Sequence, residues 1–407
     1  MTKMIANFCQ RVQKLTGKNI SFHALSRGVF RYSVKIAEVK PFLARLSKNN
    51  LELFEKQATF SLGDQRRDKR SAVIPLENPL NIEGKTIFAL RLKGVFPQVS
   101  ENGKAKRYTK GRGFSPRLLE PAGGTAIIAK SERPASEYSA WGAMSFETLE
   151  REVETALILG PERTDLLLGF GMYEDFSFNG KPVGFAIYGM ERKEDIRIKR
   201  HLWSHIEEKG SFPKVKDLAE HTGKLLREMH ELKLGHQFPH LGNYGFLSQK
   251  EARLLDLETS FELLSVSQEA RLAFLYLDLS HTTYEYQRIP EYKNTSDGET
   301  IKEDFPLTPL LPFFFWGYFQ GDTSLSFIKV LQRFMDGNYK PYELSDIFGR
   351  LPEFKEGWRR GGEFTLIEPI IKLYTLPEDS QIDLEDFRSY PFFNLFYEAL
   401  ESVALSI

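Results

Sequence analysis

The chain has almost no cysteine. Its one thiol, Cys9 among 407 residues, excludes an internal disulfide framework and a zinc site built on cysteine pairs. A reducing, cytoplasmic location is the expectation that follows. Net charge is missing too. The 55 Lys and Arg are matched by 55 Asp and Glu, which argues against broad electrostatic adhesion to nucleic acid or to an anionic membrane. No hydrophobic run is long enough to cross a bilayer. The greasiest, Pro309 to Phe319, contains proline and reads as a buried core helix, with a partner groove as the alternative. Met1 to Asn7 hold no apolar signal core, so secretion is not expected. There is no internal repeat and no low-complexity tract.

What is present is aromatic-rich (33 Phe) and patterned in two ways. Residues 1–70 read as a helical N-terminal extension, with Phe42, Leu43, Leu46, Leu51, Leu53 and Phe54 at roughly helical spacing. Strand patterns dominate 71–190. Ser71 to Pro75 and Thr86 to Leu92 flank Gly84. Arg117 to Glu120 and Thr125 to Lys130 flank Gly123-Gly124. Asp165 to Phe170 and Val183 to Tyr188 follow. One helix interrupts them, with Ser145 as its N-cap and Leu149, Val153, Ala156 and Leu157 at helical spacing. Residues 191–407 read mainly as helices. Val215 to Leu232 is the clearest, and 290–304 reads as a polar loop. The order predicts an α+β protein with a small antiparallel-sheet lobe followed by a larger helical lobe.

The chemistry concentrates in two segments: His236-Gln237-Phe238-Pro239-His240-Leu241-Gly242-Asn243 and Leu254-Leu255-Asp256-Leu257-Glu258. Asn243 offers an amide oxygen and Asp256 a carboxylate, the hard donors that magnesium takes alongside phosphate and water. A plainer reading makes Asn243 a turn cap and Asp256 a strand end. Taken together, the spacing resembles the protein-kinase loop His-Arg-Asp-x-x-x-x-Asn with a second aspartate beyond it. His240-Leu241-Gly242-Asn243 and Asp256-Leu257-Glu258 also resemble the His-Pro-Gly-Asn and Asp-Phe-Glu of aminoglycoside and choline phosphotransferase-type kinases. Met229 to His236 resembles their approach to that loop. The same frame is similar to selenoprotein O, a kinase-like family that lacks the usual loop aspartate and transfers AMP from an inverted ATP. These resemblances imply a bilobal kinase-like fold with ATP between the lobes. They further imply magnesium or manganese on Asn243 and Asp256, and a protein or small-molecule acceptor.

A phosphate-binding lysine has two candidates. Leu90-Arg91-Leu92-Lys93-Gly94 resembles the selenoprotein O strand ending in Lys-Gly, which makes Lys93 the phosphate ligand. Thr125 to Lys130 resembles the kinase Val-Ala-Ile-Lys, which would make Lys130 the ligand and Gly111 and Gly113 part of the phosphate loop. Lys93 sits on the more apolar strand. The acid that pairs with the lysine is expected from the helix after Ser145. Arg151-Glu152 resembles an Arg-Glu of selenoprotein O, with Glu150 and Glu154 as alternatives and a solvated charged face as the plain reading. Tyr188 and Met190 occupy the expected hinge, where adenine would meet backbone.

Phe238 stands where a kinase carries its base. A general base of that kind contributes about 10²–10⁴-fold, and phenylalanine cannot supply it. Three outcomes follow. Another group, His240, Glu258 or His236, takes the role. The nucleotide binds in a different orientation and a different transfer runs. Or the chain is a pseudokinase that binds nucleotide as a scaffold or regulator.

Overall fold

The computed structural model describes residues 2–16, 23–24, 30–34, 59–60, 71–94, 114–118, 126–132, 144–178, 181–206, 212–287, 290–294, 300–304, 310–319, 328–329, 332 and 381–406. The fold mixes helices with antiparallel sheets. The chain divides into two compact units. Met1–Phe114, Glu132–Asp195 and Leu255–Ser260 make the first; Ser115–Ser131, Ile196–Leu254 and Phe261–Ile407 make the second.

The first unit is built on α1 (Thr2–Thr16), β1 (Ser71–Ile82), β2 (Lys85–Lys93), α2 (Phe146–Leu159), β3 (Leu166–Phe178) and β4 (Lys181–Met190). Across the sheet the order is His23–Ala24, Phe30–Val34, β3, β4, β2, β1 and Thr59–Phe60, with Met144–Ser145 paired to β4. β2 is central and buried on both faces, which is why its apolar residues run nearly without break. A two-residue hairpin joins β1 to β2. Its residues Glu83 and Gly84 have φ of 48° and 79°, the left-handed pair that matches the twist of the strands and that glycine adopts without strain. α2 begins on Ser145, whose Oγ accepts from Thr148 N at 3.3 Å, and it buries Phe146, Leu149, Val153, Ala156 and Leu159. α1 covers α2 through Phe8, edge-on to Phe146 at 5.7 Å. Within the helical extension expected over 1–70, α1 covers Thr2–Thr16. Phe30–Val34 is instead a strand, with Tyr32 opposite Gly171 of β3, as its aromatic and β-branched residues favour. The apolar stretch 42–54 lies outside the described residues.

The second unit contains α3 (Ile198–Ile206), α4 (Phe212–Glu231), the hairpin of β5 (Tyr244–Ser248) and β6 (Glu251–Leu254), α5 (Gln268–Gln287), α6 (Leu311–Phe319) and α7 (Pro391–Ser406). Two glycines set how α4 meets α6. A Cβ on Gly223 would collide with the backbone carbonyl of Phe314, and one on Gly317 with that of Glu220. Backbone therefore touches backbone at this crossing. Around it, Thr222 Oγ1 meets Tyr286 OH at 2.9 Å, and His230 Nδ1 meets Tyr318 OH at 2.6 Å. Of the run Pro309 to Phe319, expected as core, Leu311–Phe319 forms a helix in which Phe314, Phe315 and Phe319 are at most 1% exposed. Residues 290–304 differ from the polar loop expected of them. Pro290–Asn294 and Thr300–Asp304 pair as a hairpin about the sequence Thr-Ser-Asp-Gly-Glu, a run rich in turn formers. Phe114–Leu118 and Ala126–Glu132, which overlap the expected hairpin, lie in a three-stranded sheet with Gln381–Asp383. No helix among the described residues is long and apolar enough to cross a membrane.

Candidate functional site

Alternation along β2 puts Ala89, Arg91 and Lys93 on one face of the strand. In register, Arg91 lies opposite Tyr188 and Lys93 opposite Ala186 of β4. Helical spacing on α2 turns Glu152 inward with Leu149 and Ala156, so a carboxylate arrives on the buried side. The two meet. Lys93 Nζ donates to Glu152 Oε2 at 3.0 Å, with side chains 4% and 1% exposed. A third partner comes from the short segment Leu255–Ser260. Lys93 Nζ also donates to Asp256 Oδ1 at 3.1 Å, and Glu258 Oε2 stands 3.5 Å away. Residues 93, 152, 256 and 258 thus form one cluster around an ammonium. Asp256 holds a left-handed backbone, φ 55° and ψ 54°, uncommon for a residue with a side chain.

The cluster has a second layer. Tyr188 OH donates to Glu152 Oε1 at 2.9 Å, so each oxygen of Glu152 has its own donor. Burial, and then the charge of Glu152, push the Tyr188 phenol well above its ordinary pKa, so it remains a donor. The Arg91 guanidinium lies over the Tyr188 ring, 4.9 Å from its centroid, with Nη2 3.3 Å from Asp165 Oδ2. Burial alone would lower the Arg91 pKa; Asp165, then Asp195 and Asp256, outweigh it and raise the value. Arg192 holds Asp165 in a two-pronged bond, Nη1 to Oδ1 at 2.6 Å and Nη2 to Oδ2 at 3.1 Å. Tyr188 and Met190, expected at a nucleotide hinge, are both fully buried, Met190 against Val73 and Ala89.

The alternatives to Glu152 are engaged elsewhere. Glu150 and Glu154 bind Arg11 of α1, at 2.5 and 2.6 Å. Lys130 lies on the strand Ala126–Glu132. Gly111 and Gly113 lie outside the described residues.

In the second unit, the loop from His236 to Asn243 is held from beneath by Asp278 of α5. His236 N donates to Asp278 Oδ2 at 2.7 Å, Gln237 N to Oδ1 at 2.8 Å, and His230 Nε2 meets Oδ2 at 3.1 Å. Thr282 Oγ1 donates to Pro239 O at 2.7 Å. Asn243 Nδ2 donates to Phe238 O at 2.9 Å, which fixes the amide and commits its nitrogen rather than its oxygen. His240 Nδ1 accepts from Gly242 N at 3.1 Å, so the neutral ring carries its proton on Nε2. That tautomer presents a donor at the outer edge of the ring, not a base. Phe238 packs on His281, ring centroids 5.1 Å apart, and burial pushes the His281 pKa down to about 3. His281 is therefore neutral at ordinary pH and too weakly basic to replace a carboxylate.

Asp256 and Glu258 are hard oxygen donors whose side chains are 35% and 22% exposed, a set that suits magnesium or manganese. Among the described residues no group of three or more His, Cys, Asp or Glu side chains can hold a metal alone. Phosphate or water oxygens would complete the shell.

Reading the sequence alone missed Asp278, the Tyr188–Glu152 bond and the third carboxylate on Lys93. A signal for the first existed: Asp278 is a lone carboxylate in the apolar run Phe-Leu-Tyr-Leu-Asp-Leu, and such a group needs buried donors. The other two depend on how a helix and a 3-10 turn meet strand residues far away in sequence.

No protein-family model matches the chain, and no curated protein does. The solved structures that match include kinases. WaaP in complex with acyl carrier protein matches at a TM-score of 0.34 and 11% identity, covering 82% of this chain and 98% of that one. A divergent Toxoplasma kinase lacking the glycine-rich loop, which regulates membrane ultrastructure of the parasitophorous vacuole, matches at 0.26 and 13%, covering 97% and 87%. The Legionella pneumophila effector kinase LegK7 matches at 0.26 and 9%, covering 90% and 72%. TM-scores of this size leave the chemistry to be read from this chain's own residues.

Proposed function

We infer that the chain is an ATP- and divalent-cation-dependent transferase of kinase-like type with an atypical catalytic loop, passing a phosphoryl or AMP group to a protein or small-molecule acceptor. One observation carries this reading. Lys93, Glu152 and Asp256, far apart in sequence, meet through bonds of 3.0 and 3.1 Å on a single ammonium. Phosphoryl-transfer sites need a cation on the phosphates, an acid to hold it and an oxygen ligand for the metal. Lys93, Glu152 and Asp256 would fill those roles in that order. Sequence spacing adds Asn243 as a second oxygen donor. A bound divalent ion would supply charge neutralisation at the phosphates; the chain's own part is to aim Lys93 at a phosphate oxygen and to hold Asp256 toward the ion.

Phe238 favours a second reading, a pseudokinase that binds nucleotide without transfer. Its ring packs against a neutral histidine, and His240 Nδ1 is occupied by the Gly242 N–H. A thermal-shift titration with ATP and magnesium tests the shared premise, since a ligand that binds the folded state raises the midpoint by mass action. No shift at millimolar ATP sinks both readings. Incubation with α- and γ-labelled ATP then separates them. Label incorporated from either position, and lost in Asp256→Ala, is the expected result for the transferase. Binding without incorporation is the result for the pseudokinase.

A further inference from the structure

The face of β2 that carries Lys93 continues with Arg91 and Ala89, opposite Tyr188 and Met190 of β4. Neighbours on one strand face lie about 7 Å apart, so the Arg91 position is within a nucleoside's reach of a phosphate held on Lys93. That position is full. The Arg91 guanidinium lies over the Tyr188 ring at 4.9 Å, and Arg91, Tyr188 and Met190 are at most 3% exposed. Arg91 is also tethered: Nη2 stands 3.3 Å from Asp165 Oδ2, and Arg192 holds the same carboxylate through both oxygens. Swinging it aside would separate buried charges, a costly move. Its Nε and Nη1 have no acceptor among the described residues, yet both are sealed from solvent and present no open edge. The backbone beside it is closed as well. Tyr188 and Gly189 have β2 on one edge, in register with Arg91 and Leu90, and β3 on the other, in register with Leu167 and Leu166. Their N–H and C=O groups are thus committed within the sheet. A Cβ on Gly189 would come within 2.9 Å of Ile87 Cδ1, so the space the glycine leaves is already filled. The Lys93 end of the row differs. Asp256 and Glu258 keep 35% and 22% of their side-chain surface in solvent there.

We propose that this site recognises the polyphosphate of its ligand and not the base, with Arg91 as the residue that keeps a base off the sheet. The proposal rests on the nucleotide reading above and narrows it. The ligand class becomes a polyphosphate carried with a divalent cation, whatever nucleoside is attached to it. Affinity then comes from charge-assisted bonds to phosphate oxygens at the open Lys93 end. Stacking and edge-on hydrogen bonds to a base add nothing, because the surfaces that would make them are covered by Arg91 and by neighbouring strands.

The test is calorimetric titration of the full chain, in magnesium, with ATP, GTP, CTP, UTP and inorganic tripolyphosphate. The expected result is that the four nucleotides bind within about threefold of one another and that tripolyphosphate binds no more weakly than ATP. A preference of about tenfold or more for ATP over the other nucleotides and tripolyphosphate overturns the proposal and leaves the nucleotide reading standing. So does a similar preference for GTP or UTP, since the Arg91 donors would then be reading a base carbonyl. This comparison uses wild type alone, so it decides even if a variant fails to fold. Arg91→Ala and Arg91→Met then test the assigned residue. The alanine opens the row and should acquire a preference for ATP over tripolyphosphate of about fivefold or more. The methionine keeps the bulk and should remain indifferent to the base. A folded Arg91→Ala that stays indifferent overturns the role given to Arg91. Absence of binding by wild type to every probe removes the nucleotide reading, and this proposal falls with it.

Discussion

Each unit of the molecule is organised around one charge, and the two hubs mirror each other. In the first, the cation Lys93 gathers three carboxylates. In the second, the anion Asp278 gathers three donors, from His236 N, Gln237 N and His230 Nε2. The counts agree, but the surroundings do not. Asp278, His230 and His236 are each 0% exposed. Lys93 shares that burial with Glu152 alone, while Asp256 and Glu258 keep a third and a fifth of their side-chain surface in solvent. A hub whose anion and both histidines are sealed is suited to holding a shape. A hub with partners at the water's edge can exchange them. That difference is why Lys93, and not Asp278, is the place to look for a ligand.

The largest effect should come from breaking the sealed hub. Asp278→Ala leaves two backbone N–H groups and His230 without an acceptor, and is expected to cost about 3–5 kcal/mol, the range for breaking a buried charged pair. A fall in the urea midpoint without a change in slope would measure it. Lys93→Met should cost less, about 1.5–3 kcal/mol, the range for hydrogen bonds to charged groups. Asp256 and Glu258 can turn to water; Glu152 retains Tyr188. Equal losses in the two variants would show that the exposure difference has no energetic meaning, and the comparison would fail.

His281 sharpens the contrast on the Asp278 side, since it sits on the same helix and packs against Phe238. Its folded pKa is about 3, depressed from the usual 6.5 first by burial. Between those values the unfolded chain holds a proton that the folded chain does not. Stability must then fall as pH drops from about 6.5 toward 3, by up to about 1.4 kcal/mol per unit from this group alone. His281→Leu should lose about 2 kcal/mol less than wild type between pH 7 and pH 5. Parallel denaturation curves over that interval would reject the assignment.

Much of this was legible before any coordinate, and unevenly so. The β2 strand, the Ser145 cap, the α4 helix and the apolar run that holds the buried Leu311–Phe319 helix are local signals, carried by periodicity and turn chemistry. Resemblance to selenoprotein O nominates Lys93 and Glu152, with an apolar strand and a helix face as local support. Strand register decides which face a side chain takes and what it meets there, so the Tyr188–Glu152 bond and the Arg91–Tyr188 stack could not be read. Asp278 is the clearest miss. Two of its three partners are backbone N–H groups some forty residues upstream, and backbone groups leave no trace in composition. Gly223 and Gly317 are similar: each looks like an indifferent helix glycine until another backbone is laid against it.

The smallest effect expected is at Ser145, and it separates local from tertiary causes in the Lys93 hub. Ser145 Oγ accepts from Thr148 N and also lies 2.8 Å from Thr148 Oγ1, closing the first turn of the helix that delivers Glu152. Ser145→Ala should cost about 1 kcal/mol, the usual loss for an N-cap. Glu152 lies two turns further on, where packing of Leu149, Val153 and Phe146 governs position. The variant should therefore lower the urea midpoint slightly while leaving ATP affinity in magnesium unchanged. If affinity falls along with stability, the cap and not the buried face of α2 is what aims Glu152 at Lys93, and the hub is less rigid on its Glu152 side than its burial implies.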